Sequence, residues 1–141
     1  MSTTDQGRRP DDWIEGGYDL HVVYTDDGRA AAHALYHRFL AYLDAQGIPY
    51  TRPIIFEDPV GPWPTSMWQV LLRREDRAAV ERDLGCSVAW MMINRGDLSV
   101  MIHPNTRREP GFGGGWRDHS ENRLWMGPPQ ALKLSIFDPP S

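Results

Sequence analysis

The sequence predicts an α+β fold: a ferredoxin-like antiparallel sheet, in the order β-α-β-β-α-β, with an extra C-terminal strand and helices on one face. Three observations carry this. Short stretches rich in β-branched and aromatic residues alternate between two faces, as in "YDLHVVYT" (18–25). Two longer stretches repeat their apolar residues at helical spacing. The order in which these stretches follow one another is that of a split βαβ unit.

The first strand, 18–25, sets Leu20, Val22 and Tyr24 on one face and His21, Val23 and Thr25 on the other. Residues 26–47 form a helix with an aspartate cap and a closing Gly47, and Ala32, Leu35, Tyr36, Phe39, Leu40 and Leu43 make its sheet-facing stripe. "YTRPIIFE" (50–57) is a strand whose Pro53 suits an edge. "DPVGPWP" (58–64) is an irregular loop, because its prolines cannot donate to a ladder or continue a helix. "SMWQVLLR" (66–73) is a buried strand and "REDRAAVERDLG" (74–85) a helix. "VAWMMIN" (88–94) fits either the end of that helix or a strand. "LSVMIH" (98–103) is a strand, and "QALKLSIF" (130–137), with Leu132, Leu134 and Ile136 alternating, is the final one. Residues 1–16 read as a polar tail and 17–141 as one domain.

Composition excludes several functions. With 15 basic and 19 acidic residues the net charge is −4, which argues against nucleic acid as a partner. Nothing approaches a membrane span, and no signal peptide opens the chain. The single cysteine, Cys86, reads as packing and fits a reducing compartment, so a cytoplasmic location is expected.

The five histidines carry the chemistry. His33 and His37, four apart on the first helix, have metal-ligand spacing but fall at the border of the apolar stripe and toward water. His21 is mid-strand, His103 ends another strand, and His119 opens a short helix. Between the last two runs "REPGFGGGW" (108–116), flexible enough to act as a lid. In the expected topology the first and fourth strands are adjacent and antiparallel, which brings His21 to His103. Three convergent imidazoles, with or without a carboxylate, suit zinc or ferrous iron.

Four segments, "YDLHVVYT", "DPVGPWPTSMWQV", "NRGDLSVMIHPNT" and "DHSENRLWMG", resemble in that order those of the DOPA 4,5-dioxygenase family, over about residues 18–136. The resemblance implies a homodimer, non-haem Fe(II), a small aromatic substrate, O₂ as co-substrate, and extradiol opening of a catechol ring. By motif match His21, His103 and His119 fall on histidines that recur in the family; His21 and His103 are the expected metal ligands, and His119 is either the third ligand or the acid/base. The family's loop commonly reads P-V-G-P-H-P; here Trp63 replaces the histidine, a departure that leaves open whether the substrate is DOPA and whether the reaction outcome is the family's. A second histidine of the family becomes Phe56, with Glu57 beside it as a candidate carboxylate. Trp63, Gln69 and Arg123 are the expected substrate contacts, by stacking, hydrogen bonding and charge. The competing classes are a metal-free or inactive small-molecule binding protein and a non-oxidative cyclase or isomerase on the same scaffold.

Overall fold

The computed structural model describes residues 14–106 and 115–137. Its elements are β1 (Ile14–Tyr24), α1 (Arg29–Gln46), β2 (Thr51–Phe56), β3 (Ser66–Leu72), α2 (Arg77–Asn94), β4 (Ser99–Thr106) and β5 (Leu124–Met126). They form one sheet in the order β2-β3-β1-β4-β5, with each neighbouring pair antiparallel. The expected α+β architecture is present, including the strand added beyond β4.

Alternation divides the sheet residues between two faces. Leu20, Val22, Trp68, Val70, Val100 and Ile102 pack against Ala32, Leu35, Phe39 and Leu43 of α1 and Val80 and Met91 of α2. The Trp68 indole N–H donates to the Ala32 carbonyl at 2.8 Å, so the largest side chain of this core buries no unmet donor. Gly47 ends α1 at φ 68°, a left-handed position that glycine takes without strain. Asp76 caps α2 by accepting from the Ala79 amide. The opposite face carries Val23, Met67 and Met101, covered by Trp63 and by the partly buried Phe56, Trp125 and Leu132 instead of by helices.

One open local reading is resolved and three others change. "VAWMMIN" belongs to α2, which runs on to Asn94: Ser87 and Met91, four apart, are buried while Met92 and Ile93 are exposed, a helical rather than alternating pattern. The added strand is Leu124–Met126 and not 130–137. Val100, Met101 and Ile102 of β4 pair with Met126, Trp125 and Leu124, which occupies the edge, and the prolines at 128 and 129 bring no amide donor to extend it. Residues 130–137 cross the open face as an irregular segment with one 3-10 turn at Leu134–Ile136, tied down where the Lys133 amide donates to the Pro62 carbonyl. His119 does not open a helix; it lies in a run of turns over 116–122. Of the expected tail, residues 14–16 belong to β1. Its remainder and most of the expected glycine lid lie outside the described residues.

Gly17 determines how β1 enters the sheet. It sits at φ 75° where the β1–β4 register shifts, and a Cβ there would stand 2.0 Å from the Leu72 carbonyl oxygen. Backbone cannot yield as a side-chain end can. Gly17→Ala is expected to cost at least about 2 kcal/mol, combining left-handed strain with that clash. Urea unfolding of the two proteins checks this.

Candidate metal centre

Strand alternation builds the site on the sheet face opposite α1 and α2. Asp19 and His21 of β1 point there, as do Met101, His103 and Asn105 of β4 and Gln69 of β3. Asp19 is paired with His103, and His21 with Met101 on one side and Gln69 on the other. His21 and His103 are therefore diagonal neighbours, each inside its strand and not at an end. His119 arrives from the 116–122 turns. Asp118 holds those turns to β4, accepting from the Thr106 amide at 2.9 Å and from its hydroxyl at 3.0 Å.

The three rings converge. Nitrogens of His21, His103 and His119 all lie within 4.8 Å of one another, and all three residues are buried. The His21 and His103 Nε2 atoms approach to 3.0 Å. His103 Nδ1 donates to the Pro104 carbonyl at 2.9 Å and His119 Nδ1 to the Gly115 carbonyl at 3.1 Å. Those bonds hold the proton on Nδ1 and leave each Nε2 with a lone pair. Such a set of neutral imidazole nitrogens could hold a metal ion.

Electrostatics agrees with the geometry. Burial pushes His103 down to about 4 from 6.5, against a smaller upward pull from the Pro104 carbonyl. Burial, then the charge of His103, lowers His119 to about 3. His21 is lowered too, by burial first and then by the neighbouring histidines.

Trp63 closes one side, 3% exposed, with its ring centroid 4.3 Å from that of His21 and 6.1 Å from that of His119. Phe137 stacks on His119 at 4.8 Å. Gln69 is buried beside His21, and its amide nitrogen has no partner. Arg123 lies close by, but its guanidinium donates to the His119 carbonyl at 2.9 Å, so it buttresses the turn that carries this histidine.

Glu57 is not brought to the cluster. Its carboxylate is engaged by Arg29, by His33 at 2.7 Å and by the Tyr24 hydroxyl at 3.4 Å, a network that joins the end of β2 to α1. This also accounts for His33, while His37 is exposed against Tyr36. The carboxylate beside the histidines is Asp19, which sequence reasoning missed. Its Oδ2 lies 3.8 Å from His103 Nε2 and accepts from the Asn105 amide at 2.8 Å. Burial raises the Asp19 pKa, more than the Asn105 bond lowers it. The signal was available: Asp19 is two before His21, and Asn105 two after His103, so alternation puts each on the histidine face.

Neutral buried imidazoles make stability depend on pH. Below about pH 6.5 the unfolded chain takes up protons that native His103 refuses until about 4 and His119 until about 3. The unfolded state then binds more protons, so stability falls as pH falls through that window. The metal-free protein is expected to lose a few kcal/mol between neutral pH and about pH 4, since each tenfold difference in proton affinity between the two states is worth roughly 1.4 kcal/mol. Urea midpoints across that range check it, and the slope should shrink in His103→Gln.

Residues 18–136 match the model of the Dopa 4,5-dioxygenase family. An uncharacterised 21.2 kDa protein of Botryotinia fuckeliana is 33% identical over 128 residues, 89% of this chain and 66% of that protein. A DOPA 4,5-dioxygenase of Amanita muscaria is 33% identical over 78 residues, 55% of this chain and 28% of that enzyme. The chain thus spans two thirds or less of either relative. A solved structure from Nostoc punctiforme, provisionally named a dioxygenase, superposes with a TM-score of 0.67 at 24% identity, covering 87% of this chain and 91% of that one. That likeness concerns the fold. The family match takes in nearly every described element together with all three converging histidines, and the chain belongs to the Dopa 4,5-dioxygenase family.

Proposed function

We propose that this protein is a non-haem Fe(II), O₂-dependent oxygenase that opens or rearranges the ring of a catechol or hydroxy-heteroaromatic compound. The observation that carries the reading is the convergence of three buried, neutral imidazoles beneath an aromatic side chain in a chain of this family. The donor set fits the metal: imidazole nitrogen suits ferrous iron, and three protein ligands leave positions open for a chelating diol and O₂. When bound, ferrous iron supplies the one-electron chemistry that lets triplet O₂ react with a closed-shell ring.

The chain's own residues have separate tasks. His103 and His119 present Nε2 lone pairs, His21 would present its own once its proton sits on Nδ1, and burial keeps all three rings neutral at neutral pH. His119, through its place in the cluster, takes the part of third ligand. Trp63 offers an indole to one face of a planar substrate. Asp19 takes the part anticipated for Glu57. Asn105 holds its Oδ2, leaving Oδ1 to receive a proton from a substrate hydroxyl and return it as the ring opens.

A second reading has its own observation: the 3.0 Å contact of His21 and His103 closes as a direct N–H···N bond, with one imidazole donating and no metal needed. Under that reading the chain is a metal-free binding protein.

One experiment separates them. After anaerobic ferrous reconstitution, the protein should hold one iron per chain and consume O₂ with members of a panel of catechols and hydroxypyridines. His21→Ala and His103→Ala should each lose the iron. Full occupancy in both variants would falsify the ligand assignment, and an iron-loaded protein inert toward the whole panel would end the oxygenase reading. Asp19→Asn is expected to keep its iron while kcat falls by about 10²–10⁴. Metal analysis beside steady-state O₂ uptake checks this.

A further inference from the structure

His21 differs from its two partners in one respect. The Nδ1 atoms of His103 and His119 are each tied to a backbone carbonyl. His21 Nδ1 is buried with no partner. Directly opposite, in the β1–β3 register, stands Gln69, whose amide nitrogen is also buried with no partner. Paired residues on one face of an antiparallel ladder have Cβ atoms about 5 Å apart, within reach of a glutamine amide. Two unmet polar groups on paired residues of a packed sheet face are costly, roughly 1–3 kcal/mol each.

Metal binding changes what His21 needs. In the metal-free arrangement its Nε2 shares a proton with His103 Nε2. Once Nε2 gives its lone pair to a cation, the imidazole proton must sit on Nδ1, which becomes a buried donor seeking an acceptor. A half-turn of the Gln69 amide exchanges its nitrogen for its oxygen, an acceptor with two lone pairs.

We propose that Gln69 is the positioning residue for His21: its amide oxygen accepts the Nδ1 proton and fixes the ring with Nε2 toward the metal. This rests on the metal reading above and gives His21 the support that backbone carbonyls give the other two histidines. Gln69 then acts first on the metal site and not on a substrate oxygen.

The test uses Zn²⁺ alone as the probe, with affinity measured by competition against a chromophoric chelator. Gln69→Leu should weaken zinc binding about 10–100-fold. Gln69→Glu, an acceptor of similar reach, should bind at least as tightly as the parent. In the zinc-loaded parent, NMR should detect a slowly exchanging Nδ1 proton on His21. That spectrum decides the matter even where Gln69→Leu fails to fold. Zinc binding by Gln69→Leu within about threefold of the parent, equal weakening in both variants, or a His21 that ligates through Nδ1 would each overturn the proposal. A parent that binds no zinc through its histidines would instead refute the metal reading itself, and this inference with it.

Discussion

Three imidazoles share a buried space in which none can easily hold a charge, and most of the site's arrangement answers that constraint. Desolvation favours the neutral ring, and a positive charge on any one of them would repel the others. Neutral rings must then distribute their protons. Two send theirs outward to backbone carbonyls, so their lone pairs turn inward on one small volume. Hydrogen bonds at the periphery thereby prepare a centre rich in unshared electron pairs, which is what a cation requires.

The cluster depends on an asymmetry of the sheet. One face is sealed by two amphipathic helices over an aliphatic and aromatic core. Among the described residues the other is covered by loops: the proline-rich segment bearing Trp63, the turns bearing His119, and the C-terminal segment bearing Leu132 and Phe137. A regular strand floor fixes His21, His103, Gln69 and Asp19 in register, while the loops form the walls. Strand-borne groups are held more rigidly than loop-borne ones, so His21 and His103 are the fixed members of the cluster and His119 depends on how its turns are anchored. Asp118 links the two layers by bonding the last residue of β4 from within the turns that carry His119.

Charge is arranged in the same economical way. The half-exposed Glu57 meets Arg29 and His33 on the helix side, so it stabilises the stem of the Trp63 loop without approaching the cluster of His21, His103 and His119. Its neighbour across the loop, Ser66, reinforces that stem by donating to the Glu57 carbonyl. The carboxylate that does reach the cluster, Asp19, is buried and hydrogen-bonded by the Asn105 amide, with the Arg52 charge a smaller influence than burial. A carboxylate paired to an arginine would be a poor proton acceptor, whereas one raised by burial is better matched to neutral chemistry.

Much of this was legible in the sequence. Period-two alternation put His21 opposite the core residues Leu20 and Val22, helical periodicity found the stripe of α1, and the order of elements made β1 and β4 neighbours, bringing His21 to His103. These are local patterns plus one topological rule, and both survive any detail of packing. Other features were settled by competition between distant segments. Leu124–Met126, not 130–137, took the free edge of β4, and Pro128 and Pro129, which bring no amide donor, follow it. Glu57 went to the helix side because Arg29 and His33 meet it there. Asp19 joined the histidines because strand pairing sets it beside His103. Which nitrogen of each histidine carries the proton depends on carbonyls that only the folded backbone brings into line. Periodicity along a chain tells which face a residue takes; who meets it on that face is decided by the rest of the molecule.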